Sequence, residues 1–232
     1  MRFPSKDSAL RCLKDLGVEI GTVIDVGVQI ETTELKNIFG DKKHILLEPV
    51  EEYHEGIKKA YEGFDTELLL VAASDKDGTS GITKKFLGGG TWVTHSSLVE
   101  EGASEFVPTT RIDTLIRSRQ DQRPFLLKID VDGLEMEILR GSTGIIDDVD
   151  IVIIEATQST FLERLTYLSN LGFKIWDIVD ACYYHGVYMQ SDIIMVSPRV
   201  MGILQNQPWQ TAVFSWKDWV TIESYDPNQK RS

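Results

Sequence analysis

The stretch TVIDVGVQIETTELKNIFGDKKHILLE, residues 22–48, constrains the fold more than any other. A short apolar run, Val23 to Val26, ends at Gly27. A helical pattern with Leu35, Ile38 and Phe39 as its apolar positions follows, and a second run, Ile45 to Leu47, closes on Glu48. Strand, tight turn, helix and a second strand ending in an acid is the plan of a nucleotide-type cofactor site. The helix N-terminus offers unpaired N–H groups, and the acid can accept hydrogen bonds from ribose hydroxyls.

The rest of the chain extends that α/β plan. Residues 125–130, 151–155, 173–179 and 193–196 read as further strands, and 68–73 as the third. The unbroken apolar runs Phe125–Leu127 and Ile151–Ile154 suit parallel strands covered on both faces. Covering helices are expected at 7–16, capped by Ser5 or Asp7 and ended by Gly17, and at 51–62, 110–116, 134–141 and 161–171. In the last of these, Leu162, Leu165 and Leu168 supply the apolar face.

Two stretches depart from the pattern. Residues 79–108, with Gly88-Gly89-Gly90, read as an inserted segment, either a lid over a pocket or a peripheral hairpin. The segment 198–232 carries Trp209, Trp216 and Trp219, suited to an active-site cap, a subunit contact in a homo-oligomer, or plain core filling. With 232 residues, one domain spanning 1–232, opened by an N-terminal helix within 1–20, is the expected organisation.

A formal net charge of -12 argues against a broad basic surface for nucleic acid. The cysteines, Cys12 and Cys182, form no metal motif, and no signal peptide or membrane span is legible, so a cytoplasmic setting is expected. P-loop, nucleophile-elbow and zincin patterns are missing from the sequence.

Acids fall repeatedly at strand ends: Asp25, Glu48, Asp130 and Glu155. Repulsion among Asp25, Asp130 and Glu155 requires a cation, a proton or hydrogen bonds in compensation. Lys128 shares strand parity with Asp130 and calls for an anionic partner, either Asp25 or Glu155 in a structural pair, or a role in holding substrate or orienting Asp130. Asp130 itself reads as a general base or as a cap on the helix after Gly133. A divalent ion (Mg²⁺, Mn²⁺ or Ca²⁺) on Asp130 and Glu155 would relieve repulsion and acidify a hydroxyl. His95 and His185 are alternative bases, because imidazole titrates near neutrality.

With these residues placed, the sequence resembles the FkbM family of S-adenosylmethionine-dependent methyltransferases. VIDVGVQIETT at 23–33 is similar to the family's first motif. LLKIDVDGLEMEILRG at 126–141 is similar to its more specific KIDVEG motif. LEPVEEY at 47–53, VAASDKDG at 71–78, PTTRIDTLI at 108–116 and IVIIEA at 151–156 support the likeness, which covers roughly residues 10–197. The resemblance implies a class I methyltransferase (Rossmann-like) fold, a three-layer α/β sandwich on a mostly parallel seven-stranded sheet with an antiparallel last strand.

It also implies O-methylation of a hydroxyl on a sugar, glycan or related natural product. Carried over, Asp25 and Gly27 lie at the methionine side of S-adenosylmethionine, Glu48 at its ribose, and Ala73 or Ser74 near its adenine, with Gln29 also counted as cofactor-binding. Asp130 falls where class I enzymes often place a catalytic or metal-binding acid, with Glu155 its counterpart on the next strand. Gln29 stands where the family has Asn, and Glu31 where it has Gly. Glu31 keeps a non-catalytic cofactor-binding or scaffold protein open as an alternative, whereas a nicotinamide oxidoreductase lacks its glycine pattern here.

Overall fold

The computed structural model describes residues 3–85, 93, 95–99, 103 and 105–204, with the side chains of His95 and Leu204 excepted. The Trp-bearing segment beyond residue 204 and the triple glycine at 88–90 lie outside the described residues.

Strand β1 (Thr22–Val26) is buried along its whole length and pairs in parallel with both neighbours. These are β2 (Lys43–Leu47) and β8 (Phe125–Ile129). Outward from β2 comes β3 (Thr66–Leu69). Outward from β8 come β9 (Val149–Thr157), β11 (Val187–Val196) and the edge strand β10 (Lys174–Tyr184). The sheet therefore has seven strands in the order β10-β11-β9-β8-β1-β2-β3, with β11 antiparallel to both β9 and β10. Such continuous burial explains the unbroken apolar runs: alternation would have left one face wet.

Helices α1 (Lys6–Asp15), α2 (Thr33–Phe39) and α7 (Pro198–Leu204) cover one face. There Leu10, Leu13, Leu35, Phe39 and Val200 pack on Val23, Leu126, Ile153 and Ile194. On the other face, α4 (Ile112–Arg117), α5 (Glu135–Gly141) and α6 (Phe161–Asn170) pack on Ile24, Leu127, Val152 and Ile193. This is the Rossmann-like class I methyltransferase architecture that the sequence implies. Ser5 caps α1 by accepting the Ser8 N–H, and Gly17 ends it with a φ of 89° that a side chain would resist.

Two local readings need correction. The expected strand over 68–73 is divided: β3 stops at Leu69, and Ala72–Ala73 (β4) leaves to pair with β7 (Glu105–Thr110) in a second sheet. β3 is a half-buried edge strand, so little holds its far end in the main sheet. Leu162 is not part of the apolar face of α6. It is 74% exposed, while Arg164 turns inward and pairs with Glu135 of α5.

The second sheet runs β4-β7-β5-β6, adding β5 (Gly78–Lys85) and β6 (His95–Val99). It packs with α3 (Glu51–Ala60), where Ile82, Val93 and Val107 meet Tyr53 and Ile57. Tyr53 Oη donates to the Val93 carbonyl at 2.5 Å, and Lys84 bridges Glu52 on α3 and Glu105 on β7. The inserted region is thus built of strands and fastened to the main body, at the end of the main sheet where the parallel strands finish.

Candidate active site

The order of the main sheet reverses between β1 and β8: the chain runs outward through β2 and β3, then returns to the other side of β1. A crevice forms at such a switch point, outside the carboxyl ends of the strands. Here it holds a cavity of about 340 Å³, a volume in the range of small-molecule sites.

Two loops form its floor. After β1, Gly27 takes a φ of 80° and its N–H bonds the Leu47 carbonyl. After β8, the Asp130 N–H bonds the Val26 carbonyl at 3.1 Å, drawing the two loops together. A Cβ on Gly27 would stand 1.9 Å from the Asp130 carbonyl oxygen, so this crossing admits glycine alone. Gln29 lies at a φ of 53°, and its N–H is held by Glu48 Oε2 at 2.9 Å. The other oxygen of Glu48 accepts the Val50 N–H at 2.9 Å. Burial pushes the Glu48 carboxyl up from its ordinary pKa, and these two hydrogen bonds oppose the shift.

Under the floor sits a compensated charge group. Lys128 Nζ lies 3.1 Å from Asp25 Oδ1, 3.4 Å from Asp130 Oδ2 and 3.0 Å from the Gly27 carbonyl, to which it donates. Register explains the meeting, because Asp25 and Lys128 are direct partners across β1 and β8. Burial lowers the Lys128 pKa, but the negative charges of Asp25 and Asp130 outweigh it and hold the ammonium above its usual value. Asp25 is fully buried. Its contact with Lys128 is ionic in distance without the alignment of a hydrogen bond, and neither of its oxygens has a hydrogen-bond partner among the described residues.

The cavity has two ends. Ala72, Ala73, Ile82, Leu98, Leu134 and Ile138 make one apolar end, with Pro49 and Glu48 beside it. Asp132, two residues after Asp130, accepts the Ser96 N–H at 2.9 Å and ties the second sheet to the β8 loop there. The opposite end is polar and is lined by Lys6, Thr32, Glu34, Lys128 and Asp130. Lys6 comes from α1 and is held by Asp192 of β11 at 2.8 Å, with Asp180 of β10 at 4.0 Å. Burial of Lys6 lowers its pKa, and Asp192 raises it further than burial lowers it.

Of the residues singled out in the sequence, Gly27, Gln29, Glu31, Glu48, Ala73, Lys128 and Asp130 line this cavity. Asp130 is open to it, with 37% of its side chain exposed. It caps no helix: α5 begins at Glu135, behind Leu134, with no side-chain cap. Asp25 lies beneath the floor, and Ser74 sits outside the lining, its carbonyl against Gly141.

Glu155 is also outside the lining, with Oε1 engaged by the Gln190 amide. Burial, then repulsion from Asp130, Asp192 and Glu135, pushes its pKa up to about 7, against the pull of Arg164. His185 is an exposed turn residue with a φ of 49°, at the tip of the hairpin joining β10 to β11 and away from the cavity lining. The side chain of His95 lies outside the described residues.

Lys6, Thr32, Glu34, Tyr53 and Asp132 line the cavity without having been marked by the sequence. Thr32, Tyr53 and Asp132 fall within the quoted motifs at 23–33, 47–53 and 126–141, whereas Lys6 and Glu34 carried no signal. The donor set does not fit a divalent ion. Among the described residues no group of three or more His, Cys, Asp or Glu side chains is arranged to hold one, and the Lys128 ammonium already compensates Asp130.

The sequence profile of the methyltransferase FkbM domain matches residues 19–175, more than half of the chain. The chain belongs to the FkbM methyltransferase family. It is an S-adenosylmethionine-dependent methyltransferase, and the glycine crossing, the buried acid at the end of β2 and the apolar end of the cavity fit that cofactor. The matched span is shorter than the likeness read from the motifs, and leaves α1, most of β10 and all of β11 outside it.

No curated protein matches the sequence. Among solved structures, the chain is similar to an rRNA methylase from Streptococcus thermophilus, at 11% identity and a TM-score of 0.49, covering 85% of this chain and 98% of that one. It is also similar to precorrin-6y C5,15-methyltransferase from Geobacter metallireducens, at 11% identity and a TM-score of 0.45, covering 84% and 89%. A ribosomal protein L11 methylase from Lactobacillus delbrueckii subsp. bulgaricus gives 11%, 0.44, 82% and 76%. Among the described residues no helix is long and apolar enough to cross a membrane.

Proposed function

We propose that this FkbM-family enzyme methylates a hydroxyl oxygen of a sugar, glycan or related natural product, with Asp130 receiving the proton. The observation that carries the reading is the position of Asp130: open to the cavity, on a loop bonded to the loop that carries Gly27.

S-adenosylmethionine, when bound, supplies an electrophilic methyl group on a sulfonium. Transfer to oxygen is an in-line displacement, so the protein must align the acceptor, keep water out and remove one proton. Glu48, buried and already fixed by two N–H donors, keeps lone pairs free to accept ribose hydroxyls. Ala73, Ile82 and Ile138 offer apolar walls to the adenine. The second sheet acts as the lid of this end, and the polar end admits the acceptor.

Asp130 takes the hydroxyl proton as the new C–O bond forms. Lys128 is its positioning residue: it holds the Gly27 carbonyl and both carboxylates in one geometry. The half-buried Glu155 feels the charge of Asp130 from outside the cavity lining.

Calorimetric titration with S-adenosylmethionine, with NAD as control, followed by turnover of Asp130→Asn, tests the reading. Selective binding with turnover reduced about 10²-fold or more supports it. Full turnover by the variant removes Asp130 from the mechanism.

A further inference from the structure

The charge balance of the cavity narrows the acceptor further, on the basis of the function proposed above. Five carboxylates line it, those of Glu31, Glu34, Glu48, Asp130 and Asp132, against two ammonium groups, Lys6 and Lys128. Neither ammonium is free to meet an anion. Lys128 is held by Asp25 and Asp130, and Lys6 by Asp192, and both Asp25 and Asp192 stand outside the lining. Lys36, the partner of Glu31, is likewise committed.

Glu34, Glu48 and Asp132 have no ion-pair partner among the described residues. The cofactor carries a sulfonium, an ammonium and a carboxylate, and so brings a single net positive charge. A surplus of negative charge remains over the lining as a whole, and at the acceptor end Glu34 lies close enough to Lys6 to raise its pKa. The surplus is felt beyond the lining as well: besides burial, neighbouring carboxylates push the Asp180 and Asp192 pKa values up.

We infer that the acceptor carries no anionic group and that an amine-bearing polyol is favoured over a neutral one. A uronate, carboxylate or phosphate on the acceptor would enter a cavity of its own sign, with both lining cations already paired. An ammonium would instead relieve the surplus beside Glu34 and Asp130. The Lys6–Asp192 pair, from elements outside the family-matched span, shapes this end and makes Lys6 a specificity-determining residue.

The test uses the full chain with S-adenosylmethionine and three matched probes: glucosamine, methyl glucoside and glucuronate. Release of S-adenosylhomocysteine is followed at low and high salt. The expected order of kcat/KM is amine, neutral, anion, with a span of about tenfold or more between the extremes at low salt. Raising the salt compresses that span, because the discrimination is electrostatic. Glu34→Gln narrows the ratio of amine to anion without reversing it.

An anionic probe equal to or better than the amine overturns the inference, and so does transfer to none of the three by protein that binds the cofactor. Failure to bind S-adenosylmethionine at all, in a separate calorimetric titration, counts against the proposed function instead.

Discussion

Two buried lysines flank the cavity, and they answer to different parts of the chain. Lys128 lies inside the family-matched span, two residues before Asp130, and neutralises a carboxylate directly across the sheet. Lys6 lies outside that span, on the first helix, and is fixed by Asp192 of β11, also outside it. The first pair holds the loops that carry Gly27 and Asp130. The second lies at the polar end of the cavity, which the proposed function assigns to the acceptor. On the proposed function, the chemistry is built at the sheet's switch point, while selectivity is added from the periphery.

Breaking the central pair is expected to have the largest effect. Lys128→Met leaves Asp25 fully buried without a counter-charge and should cost about 3–5 kcal/mol of stability, read from urea denaturation. A loss under about 1 kcal/mol would mean that Asp25 finds another partner. Next comes Asp130→Asn, which should lower kcat about 10²-fold while the stability changes little, because the side chain is partly exposed. Together the two variants separate what holds the loops from what moves the proton.

Breaking the peripheral pair should matter less to the fold. Lys6→Met leaves Asp192 in an environment that already favours its protonated form, so about 1–2 kcal/mol is the expected loss by thermal denaturation. Its kinetic signature should be a change in acceptor KM rather than in cofactor affinity, the reverse of the pattern expected for Lys128→Met.

The smallest predicted effect concerns Glu155. Its folded pKa is raised to about 7, so the folded state binds a proton more tightly than the unfolded chain. Its protonated form is therefore fully compatible with folding below the unfolded carboxylate value. Stability falls as the pH rises from there to about 7, and levels off above. Glu155→Gln should remove that dependence, stabilising the protein at pH 8 by on the order of 1 kcal/mol and having little effect at pH 4. Equal effects at both pH values would show that Glu155 is not compressed by its neighbours.

Much of the central region was legible because local sequence and global fold agree there. Val23, Ile24 and Val26, with Phe125–Leu127, are apolar on both parities, which a doubly covered parallel strand explains, and Gly27 sits where a side chain would strike the Asp130 carbonyl. The periphery was less legible. Nothing local distinguishes Lys6 from any polar residue in an amphipathic helix, because its partner Asp192 is remote in sequence and is brought to it by the packing of α1 on β10, the neighbour of β11. The strand expected over 68–73 failed for a similar reason: Ala72–Ala73 leaves for a second sheet whose partner strand, β7, begins at Glu105.

The most direct test is calorimetric titration of the full chain with S-adenosylmethionine, with NAD as control. Saturable one-to-one binding of S-adenosylmethionine, none of NAD, and loss of that binding in Gly27→Ala are the results predicted by a cofactor site at the crossing of the β1 and β8 loops. A folded, cofactor-free protein that binds neither, or a Gly27→Ala variant that binds as tightly as the parent, would contradict it.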